Sequence, residues 1–159
     1  MKMISLFRLV RKEFAKSAFD GEGARMHGGR WNSKGKSCIY LGSSRSICVL
    51  ETLVHLKSQD VLPCYSMFQI DVPDSLVLTL DKAYWPADWS EDPIPASTKE
   101  LGDDWLDAQD SLILLVPSSI VNAEWNAIMN PNHPDADRII KDAVEVDFLL
   151  DPRLVKGSE

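Results

Sequence analysis

The segment at residues 38–57 reads CIYLGSSRSICVLETLVHLK, and it decides how the chain folds. Apolar and aromatic side chains fill Cys38–Leu41, which predicts a short strand. Ser43 or Ser44 then offers an N-cap for a helix that runs to about Lys57. The segment therefore predicts a strand that turns directly into a helix, an arrangement that commonly forms one wall of a ligand pocket.

The helix of this segment combines an apolar stripe with two ionisable residues. Ile47, Leu50 and Val54 recur at helical spacing and predict the buried face. Glu51 lies beside that stripe, and His55 follows one turn later on the same side. Because an unpaired carboxylate is costly near apolar surface, Glu51 is interpreted either as a functional group or as a solvated or ion-paired helix residue. His55 is interpreted either as a site residue or as a packing residue near the helix end.

The strand of the same segment carries one aromatic side chain with two interpretations. Tyr40 alternates with Ile39 and Leu41, so its side chain is expected to face away from theirs. In one interpretation Tyr40 lines the pocket wall, and in the other it is an ordinary half-buried aromatic residue.

Two further segments have unusual local sequences. Residues 28–32 read GGRWN and place Arg30 and Trp31 among glycines. Glycines let a backbone approach a ligand closely, and the planar guanidinium of arginine matches phosphate oxygens. The alternative is a surface turn with a packed tryptophan and a solvated arginine. Ser118 and Ser119 follow a proline at a predicted strand end, where they either donate to a ligand hydroxyl or close a turn.

The rest of the chain is predicted to be mostly β. Apolar runs predict strands at Ile4–Val10, Cys64–Val72, Leu76–Leu80, Ser111–Val116 and Val144–Leu150. The other segments are predicted as a glycine-rich loop at Asp20–Gly35, an ordered loop at Tyr84–Pro95, a helix at Thr98–Asp110 with Trp105 and Leu106 facing inward, and a rigid turn at Asn130–Pro134. The predicted fold class is α+β, with a mixed or antiparallel β core and flanking helices in a single domain.

The composition fits one domain with a substantial core. The chain has 159 residues, of which 45% are hydrophobic. Its net charge of −7 conceals an asymmetry: residues 1–60 hold eleven Lys and Arg against five Asp and Glu, for +6, whereas residues 61–159 carry −13. The acidic total argues against a dedicated nucleic-acid binder, and the basic first part suits a small anionic ligand.

Several classes of protein are excluded by the sequence. No apolar run approaches the roughly 18–20 residues that span a bilayer, and the N-terminal residues lack a signal-peptide pattern. The three cysteines, Cys38, Cys48 and Cys64, are interpreted as reduced core residues, since they lack the close pairing of a disulfide framework. The scattered histidines form no metal motif. We therefore expect a cytoplasmic protein with no membrane segment and no metal.

Together, the unusual segments resemble the RES-domain family, which is named for an arginine, a glutamate and a serine. These three match Arg30, Glu51 and Ser118, with Ser119 as the alternative serine. The resemblance covers roughly residues 4–150. The blocks that carry it are Phe7-Arg8, Gly29-Arg30-Trp31-Asn32 with Gly35, Tyr40, Glu51 with His55, Val116-Pro117-Ser118 with Ile120-Val121, Glu124-x-Asn126, and Asn130-Pro131-x-His133-Pro134.

The resemblance implies an activity, a partner and a fold similar to that of ADP-ribosyltransferases. Members of the family are toxins of type II toxin–antitoxin pairs. An Xre-type antitoxin with a helix-turn-helix DNA-binding domain neutralises them, so DNA is reached only through the antitoxin. They consume NAD⁺ by hydrolysis or phosphorolysis of the nicotinamide–ribose bond. NAD⁺ is therefore expected as a substrate, without a cofactor or a metal, and a homodimer within the complex is left open.

The resemblance also implies catalytic roles for individual residues. Cleavage of the nicotinamide–ribose bond passes through an oxocarbenium-like cation, which Glu51 would stabilise directly or by orienting the ribose hydroxyls. Arg30 and Arg8 would clamp the pyrophosphate through charge-assisted hydrogen bonds. In typical ADP-ribosyltransferases the key glutamate lies on a strand, whereas Glu51 is predicted on a helix, so its role is not copied from them.

The remaining expected site residues bind NAD⁺ or support the residues that do. Tyr40 would stack on nicotinamide or shape its pocket, and Ser118 would hydrogen-bond the ribose or a phosphate. Trp31 is expected among the NAD⁺-binding residues. Asn32 and His55 are expected to support the site.

Other functions compete with NAD⁺ degradation. A branch of the family transfers ADP-ribose to a protein, so mono-ADP-ribosylation of a cellular protein is the first alternative. A ribonuclease-type toxin and a catalytically inactive antitoxin-binding module are more remote alternatives. The loop at Asp81–Asp92, with Tyr84, Trp85 and Trp89, is interpreted either as an interface anchor for a partner or as a loop folded back on the core.

Overall fold

Two long strands form the longest ladder of the fold. The computed structural model describes residues 1–56 and 64–154 of the chain. Strand β1 (Met3–Arg11) pairs antiparallel with β3 (Tyr65–Pro73) along its full nine residues. Leu6 and Ile70 are buried in the core and lie directly opposite each other in this ladder. Side chains of successive strand residues point to opposite faces, so this ladder fixes two faces for the sheet.

Five shorter strands extend the ladder into a seven-stranded sheet. They are β2 (Ile39–Gly42), β4 (Val77–Thr79), β5 (Ile113–Pro117), β6 (Trp125–Met129) and β7 (Val144–Val146). The strand order is β4-β5-β6-β2-β1-β3-β7. Strands β4 and β5 run parallel, and the other neighbouring strands of the described sheet run antiparallel. The predicted α+β class with a mixed sheet is confirmed.

The helices lie between strands in the chain and cover the sheet. They are α1 (Glu22–His27), α2 (Arg45–Leu53), α3 (Ala96–Ala108) and α4 (Ala136–Ile140). The hydroxyl Oγ of Ser44 accepts a hydrogen bond from the backbone N–H of Ile47, at 3.1 Å. Of the two predicted N-caps of α2, Ser44 is therefore the one that is used.

The core consists of two apolar clusters, one on each face of the sheet. One cluster contains Ile39 and Leu41 of β2, together with Ile139 of α4. The other contains Ile128 of β6 and, from α3, Trp105 and Leu106, whose inward orientation is confirmed. Tyr40 packs against this second cluster and so faces away from its two neighbours in the strand, as predicted.

Three elements differ from the sequence prediction. Strand β6 is not predicted because WNAIM offers neither strict alternation nor flanking glycines. The predicted glycine-rich loop contains helix α1, whose first turn is held by Asp20 Oδ1 accepting from the N–H of Glu22 at 2.9 Å. Strand β7 ends at Val146 because its ladder with β3 spans only Met67–Gln69.

The buried face of α2 also differs from the prediction. The interior side chains are Ile47 and Cys48, whereas Leu50 is 42% exposed and Val54 57% exposed. The face of α2 that packs on the sheet is therefore the one that carries Ile47 and Cys48. Glu51 lies on this face because it follows Ile47 by four residues and Cys48 by three. Of the predicted apolar stripe, Ile47 is confirmed as buried, whereas the prediction is wrong for Leu50 and Val54. The helix ends at Leu53, and its predicted end near Lys57 lies outside the described residues.

One glycine on α3 permits the contact between that helix and the GGRWN turn. A Cβ atom at Gly102 would lie 1.7 Å from the backbone oxygen of Trp31, so the two backbones touch where a side chain would stand. The buried indole of Trp31 packs in the same cluster as Trp105. The absence of a side chain at Gly102 therefore sets how closely the turn approaches the helix.

We expect Gly102→Ala to destabilise the protein. The methyl group would force two backbones apart, at a cost of about 2 kcal/mol or more, which outweighs the higher helix propensity of alanine. Urea unfolding followed by circular dichroism measures the effect. Gly23→Ala in α1 is the matched control, because a Cβ there would meet no atom within 4 Å. Equal stability of the Gly102→Ala variant and the wild type would contradict the close contact.

Candidate functional site

An open cleft lies on the face of the sheet that carries Tyr40. Its volume is about 930 Å³, which is large enough for a dinucleotide-sized ligand. Strands β1 and β2, the GGRWN turn, helix α2 and the segment after β5 contribute to its walls. Of the predicted site residues, the cleft is lined by Arg8, Arg30, Trp31, Tyr40, Glu51 and His55. The structure thus brings together residues that lie far apart in the sequence.

A glycine on β2 lets α2 approach the sheet. A Cβ atom at Gly42 would lie 2.7 Å from Cys48 Sγ and 2.7 Å from Ile47 Cγ2, so the first turn of α2 packs directly on this strand end. The next turn then carries Glu51 across the neighbouring strand β6, which pairs with β2 at Asn126 opposite Gly42. The Gly42–Ser44 turn therefore positions the carboxylate of Glu51.

The carboxylate of Glu51 is held by two donors at one oxygen. Oε1 accepts from Ser118 Oγ at 3.0 Å and from Asn126 Nδ2 at 2.5 Å. The second oxygen, Oε2, has no hydrogen-bond partner within residues 1–56 and 64–154. Hydrogen bonds to an ionised acceptor are stronger than those between neutral groups, so Glu51 is fixed at one oxygen and open at the other.

Ser118 is an internal residue of the site and does not face the open cleft. Its hydroxyl donates to Glu51 and accepts from the backbone N–H groups of Ile120 and Val121, at 3.1 and 3.0 Å. The side chain is buried, whereas Ser119 is exposed and borders the cleft. The geometry therefore places Ser118, and not Ser119, against Glu51. A hydrogen bond from Ser118 to a ligand stays a prediction, with its hydroxyl already engaged in three internal contacts.

Tyr40 organises the GGRWN turn. Its hydroxyl donates to Asn32 Oδ1 at 2.7 Å and accepts from the backbone N–H of Trp31 at 2.9 Å. Burial raises the pKa of Tyr40 well above its ordinary value, so the phenol stays neutral and keeps its proton for Asn32. Gly29 completes the arrangement, since a Cβ atom there would lie 2.5 Å from the Tyr40 hydroxyl oxygen.

Asn32 is the fully buried support of the same turn. Its Nδ2 donates to the backbone oxygens of Ala24 and Lys36 at 2.8 and 3.0 Å, and a longer contact reaches Ser33. The side chain thus ties α1, the turn and the following segment to Tyr40. The role of Asn32 in supporting the site stays a prediction.

Arg8 is a half-buried cation that borders the cleft. Its Nε donates to the backbone oxygen of Ala18, and its Nη1 donates to the backbone oxygen of Tyr40 at 2.8 Å. Burial lowers the pKa of Arg8 from its ordinary value, although the guanidinium remains charged. Both recorded acceptors are neutral carbonyl groups. The charge of Arg8 is therefore solvated by peptide dipoles and is available to attract an anion.

Arg30 joins the GGRWN turn to the loop that follows β4. Its Nη1 donates to the backbone oxygens of Trp89 and Glu91, each at 2.9 Å. Its other guanidinium nitrogens have no partner within the described part of the chain. The same loop places Asp92 at the cleft. Arg30 thus spans the cleft edge with several N–H groups still open.

The charges and thiols of the cleft favour an anionic ligand over thiol chemistry. The described lining contains three arginines, Arg8, Arg11 and Arg30, and two carboxylates, Glu51 and Asp92. The buried thiols of Cys38 and Cys48 also border it, and burial raises their pKa values to about 12 and about 11. Both thiols are therefore protonated at neutral pH and poor nucleophiles.

Comparison with known proteins identifies the family. The family model described as "RES domain" matches residues 5–151. The chain belongs to the RES domain family. This confirms the resemblance found in the sequence, and the geometry above brings the arginine, glutamate and serine of that resemblance to one region.

Curated relatives of this RES domain chain cover nearly its full length. A protein named "Toxin Res" from Yersinia enterocolitica is 42% identical over 149 residues, which are 94% of this chain and 98% of that protein. Another "Toxin Res", from Photorhabdus laumondii, is 38% identical over 97% of this chain and 99% of its own length. A "Prs ADP-ribosylating toxin" from a Sphingobium species is 37% identical over 87% of each chain.

A solved structure has a similar fold. The crystal structure of the M. tuberculosis MbcT–MbcA toxin–antitoxin complex contains a chain that superposes with a TM-score of 0.65. The match covers 91% of this RES domain chain and 85% of the other chain, at 19% sequence identity. At this level of identity the comparison supports the predicted fold.

The remaining predicted site residues occupy different environments. The indole of Trp31 is 2% exposed and belongs to the core cluster at the cleft wall, so its binding role stays a prediction. His55 follows α2 and is exposed at the cleft border. Trp85 and Trp89 pack against the core, with their ring centroids 5.1 Å apart, so the loop of residues 81–92 is folded back. The third aromatic residue of the loop, Tyr84, is 72% exposed, so the interface interpretation stays a prediction for Tyr84 alone.

The described residues contain neither a membrane-spanning helix nor a cluster of metal ligands. No helix in residues 1–56 and 64–154 is both long and apolar enough to cross a membrane. The same residues contain no cluster of three or more His, Cys, Asp or Glu side chains that could hold a metal ion.

We expect Tyr40→Phe to destabilise the RES domain chain by about 1–3 kcal/mol. The substitution keeps the ring but leaves Asn32 Oδ1 and the N–H of Trp31 without their buried partner. Chemical denaturation measures the loss. Tyr84→Phe is the matched control, since Tyr84 is 72% exposed and should unfold like the wild type. A Tyr40→Phe variant as stable as this control would contradict the role of the hydroxyl.

Proposed function

We propose that the chain is a toxin of a toxin–antitoxin pair that cleaves the nicotinamide–ribose bond of NAD⁺ and so arrests growth. Membership of the RES domain family and the relatives named "Toxin Res" support the toxin assignment. The observation that carries the enzymatic proposal is the Glu51 carboxylate, fixed at Oε1 and open at Oε2 in a cleft bordered by three arginines. The proposed site of action is the cytoplasm.

The carboxylate of Glu51 provides what this reaction needs. Nicotinamide leaves as a neutral base, so no general acid has to protonate it, and positive charge develops on the ribose. A fixed carboxylate stabilises that cation most when it needs no reorganisation in the transition state. Glu51 meets this condition because Ser118 donates a hydrogen bond to its Oε1. Oε2 then faces the cation or a ribose hydroxyl.

The arginines supply the binding of the NAD⁺ diphosphate. Arg8 has a half-buried charge that neutral carbonyls solvate, and Arg30 retains open N–H groups at the cleft edge. Charge-assisted hydrogen bonds from these two groups hold the pyrophosphate in the proposed complex. Tyr40 shapes the neighbouring wall, since its hydroxyl is engaged with the turn. No metal and no further cofactor takes part in the proposed reaction.

A protein acceptor is the second candidate for the ADP-ribosyl group. The relative named "Prs ADP-ribosylating toxin" favours it, at 37% identity over 87% of this chain. The carboxylate and arginines act in the same way in both reactions, because each one begins with loss of nicotinamide. The acceptor, whether water, phosphate or a protein side chain, is what separates the two candidates.

The proposed partner is an antitoxin of the Xre helix-turn-helix class, through which DNA is contacted. The fold shared with a chain of a toxin–antitoxin complex supports an antitoxin partner. Apolar side chains are exposed at the mouth of the cleft, including Val54, Ile94 and Ile120, and offer contact area beside the site. An antitoxin that covers this mouth blocks entry of NAD⁺.

We expect Glu51→Gln to lower the rate of nicotinamide release at least about 100-fold, since the neutral amide no longer stabilises the cation. The measurement is chromatography of NAD⁺ carrying a label on its adenylate half after incubation with purified protein. Glu145→Gln on the exposed strand β7 is the matched control and should retain full activity.

The products of the same incubation identify the acceptor. Free ADP-ribose indicates hydrolysis, ADP-ribose 1″-phosphate indicates phosphorolysis, and label on an added cell extract protein indicates transfer. Wild-type protein that leaves NAD⁺ intact in buffer, with added phosphate and with added cell extract would overturn the proposed function. Intact RNA in a parallel incubation excludes the ribonuclease alternative.

A further inference from the structure

Asn126 occupies a position in the sheet where its side chain meets Glu51. It lies on β6, paired with Gly42 of β2 on one side and with Val116 of β5 on the other. Gly42 has no side chain, so nothing from β2 separates Asn126 from helix α2. The amide therefore reaches the second turn of α2, and it also borders the cleft.

The hydrogen bond between the two side chains determines the orientation of the amide. Nδ2 of Asn126 lies 2.5 Å from Oε1 of Glu51. Only the NH₂ group of an asparagine donates to a carboxylate, so the amide carbonyl must point the other way. That carbonyl oxygen, Oδ1, is buried and has no hydrogen-bond partner in residues 1–56 and 64–154.

An unpartnered buried oxygen is unfavourable for folding, because it has lost its water and gained nothing in return. Asn130, directly after the same strand, is different. Its Nδ2 donates to the backbone oxygen of Leu106 at 2.9 Å, and its Oδ1 accepts from the N–H of Asn132 at 3.0 Å. Both the NH₂ group and the carbonyl oxygen of Asn130 thus have a partner, as is typical of a structural residue. Asn126 donates a hydrogen bond to Glu51, while its own carbonyl oxygen has no partner in the described residues.

We propose that Asn126 is a positioning residue for Glu51. It fixes Oε1 together with Ser118 and leaves Oε2 open to the cleft. The inference deepens the proposed function, on which its catalytic consequence rests. With both donors on Oε1, the carboxylate cannot rotate without breaking two charge-assisted bonds. Oε2 is then held where the cation develops, so the bond from Asn126 contributes to kcat and not to substrate binding.

The kinetic test compares two near-isosteric substitutions, Asn126→Leu and Asn130→Leu. Because Asn126 acts through Glu51, Asn126→Leu should lower kcat for nicotinamide release about tenfold, with KM within about twofold of the wild type. Its melting temperature should be equal to or above that of the wild type, since leucine removes the unpaired carbonyl. Asn130→Leu should lower the melting temperature and keep the kcat of the folded protein. An unchanged kcat in Asn126→Leu would overturn the proposal.

A double-mutant cycle separates an action through Glu51 from a general disturbance of the cleft. In the Glu51→Ala background, Asn126→Leu should cause no further loss of kcat, because its partner is already absent. An additional tenfold loss there would overturn the proposal, since Asn126 would then act independently of Glu51.

A spectroscopic measurement tests the contact without any substrate. In ¹H–¹⁵N spectra, one proton of the Asn126 side-chain amide, assigned by its loss in Asn126→Leu, should resonate downfield because it binds a carboxylate. It should move upfield in Glu51→Ala and stay in place in Glu145→Gln. An amide signal that does not shift in Glu51→Ala would overturn the proposal, whatever the substrate of the protein. A wild-type protein with the coupled signal but no release of nicotinamide would support the positioning contact and contradict the NAD⁺ reaction.

Discussion

The fixation of one carboxylate links the parts of this structure that matter for its chemistry. Glu51 lies on α2, Ser118 follows β5 and Asn126 lies on β6, and their side chains meet at a single oxygen atom. The three elements are brought together by the close packing of α2 on Gly42. A carboxylate carried inward by a helix has to be solvated by other groups, and here the neighbouring strands provide the donors. The contacts that pack α2 on the sheet are thus also the contacts that position Glu51.

The arginines of the cleft are also held in place by hydrogen bonds to other parts of the fold. Arg8 and Arg30 bind backbone carbonyl oxygens, so each cation is oriented without being neutralised by a nearby carboxylate in the described contacts. Tyr40 and Asn32 hold the turn that carries Arg30. This arrangement suits a ligand with a diphosphate at one end and a developing cation at the other.

The sequence predicted the class of the fold because that class depends on local patterns. Long alternating runs predicted β1 and β3, and the inward residues Trp105 and Leu106 marked the buried face of α3. On the buried face of α2 the sequence predicted Ile47 correctly and the other two positions wrongly. Periodicity favoured Leu50 and Val54, yet the packing of Cys48 on Gly42 rotates the helix so that Glu51 faces the interior. Hydrophobicity alone does not predict an inward carboxylate, since its partners come from distant strands.

The sequence by itself determined the family and the α+β class. The types and order of its residues also predicted the arginine, tyrosine, glutamate and serine of the candidate site. The tertiary structure decided which serine faces Glu51, that both tryptophans of the loop after β4 fold back, and that Asn126 completes the carboxylate's contacts. The physical reason is the range of the interactions. Strand and helix patterns arise between neighbours in the chain, whereas the hydrogen bonds to Glu51 join residues more than sixty positions apart.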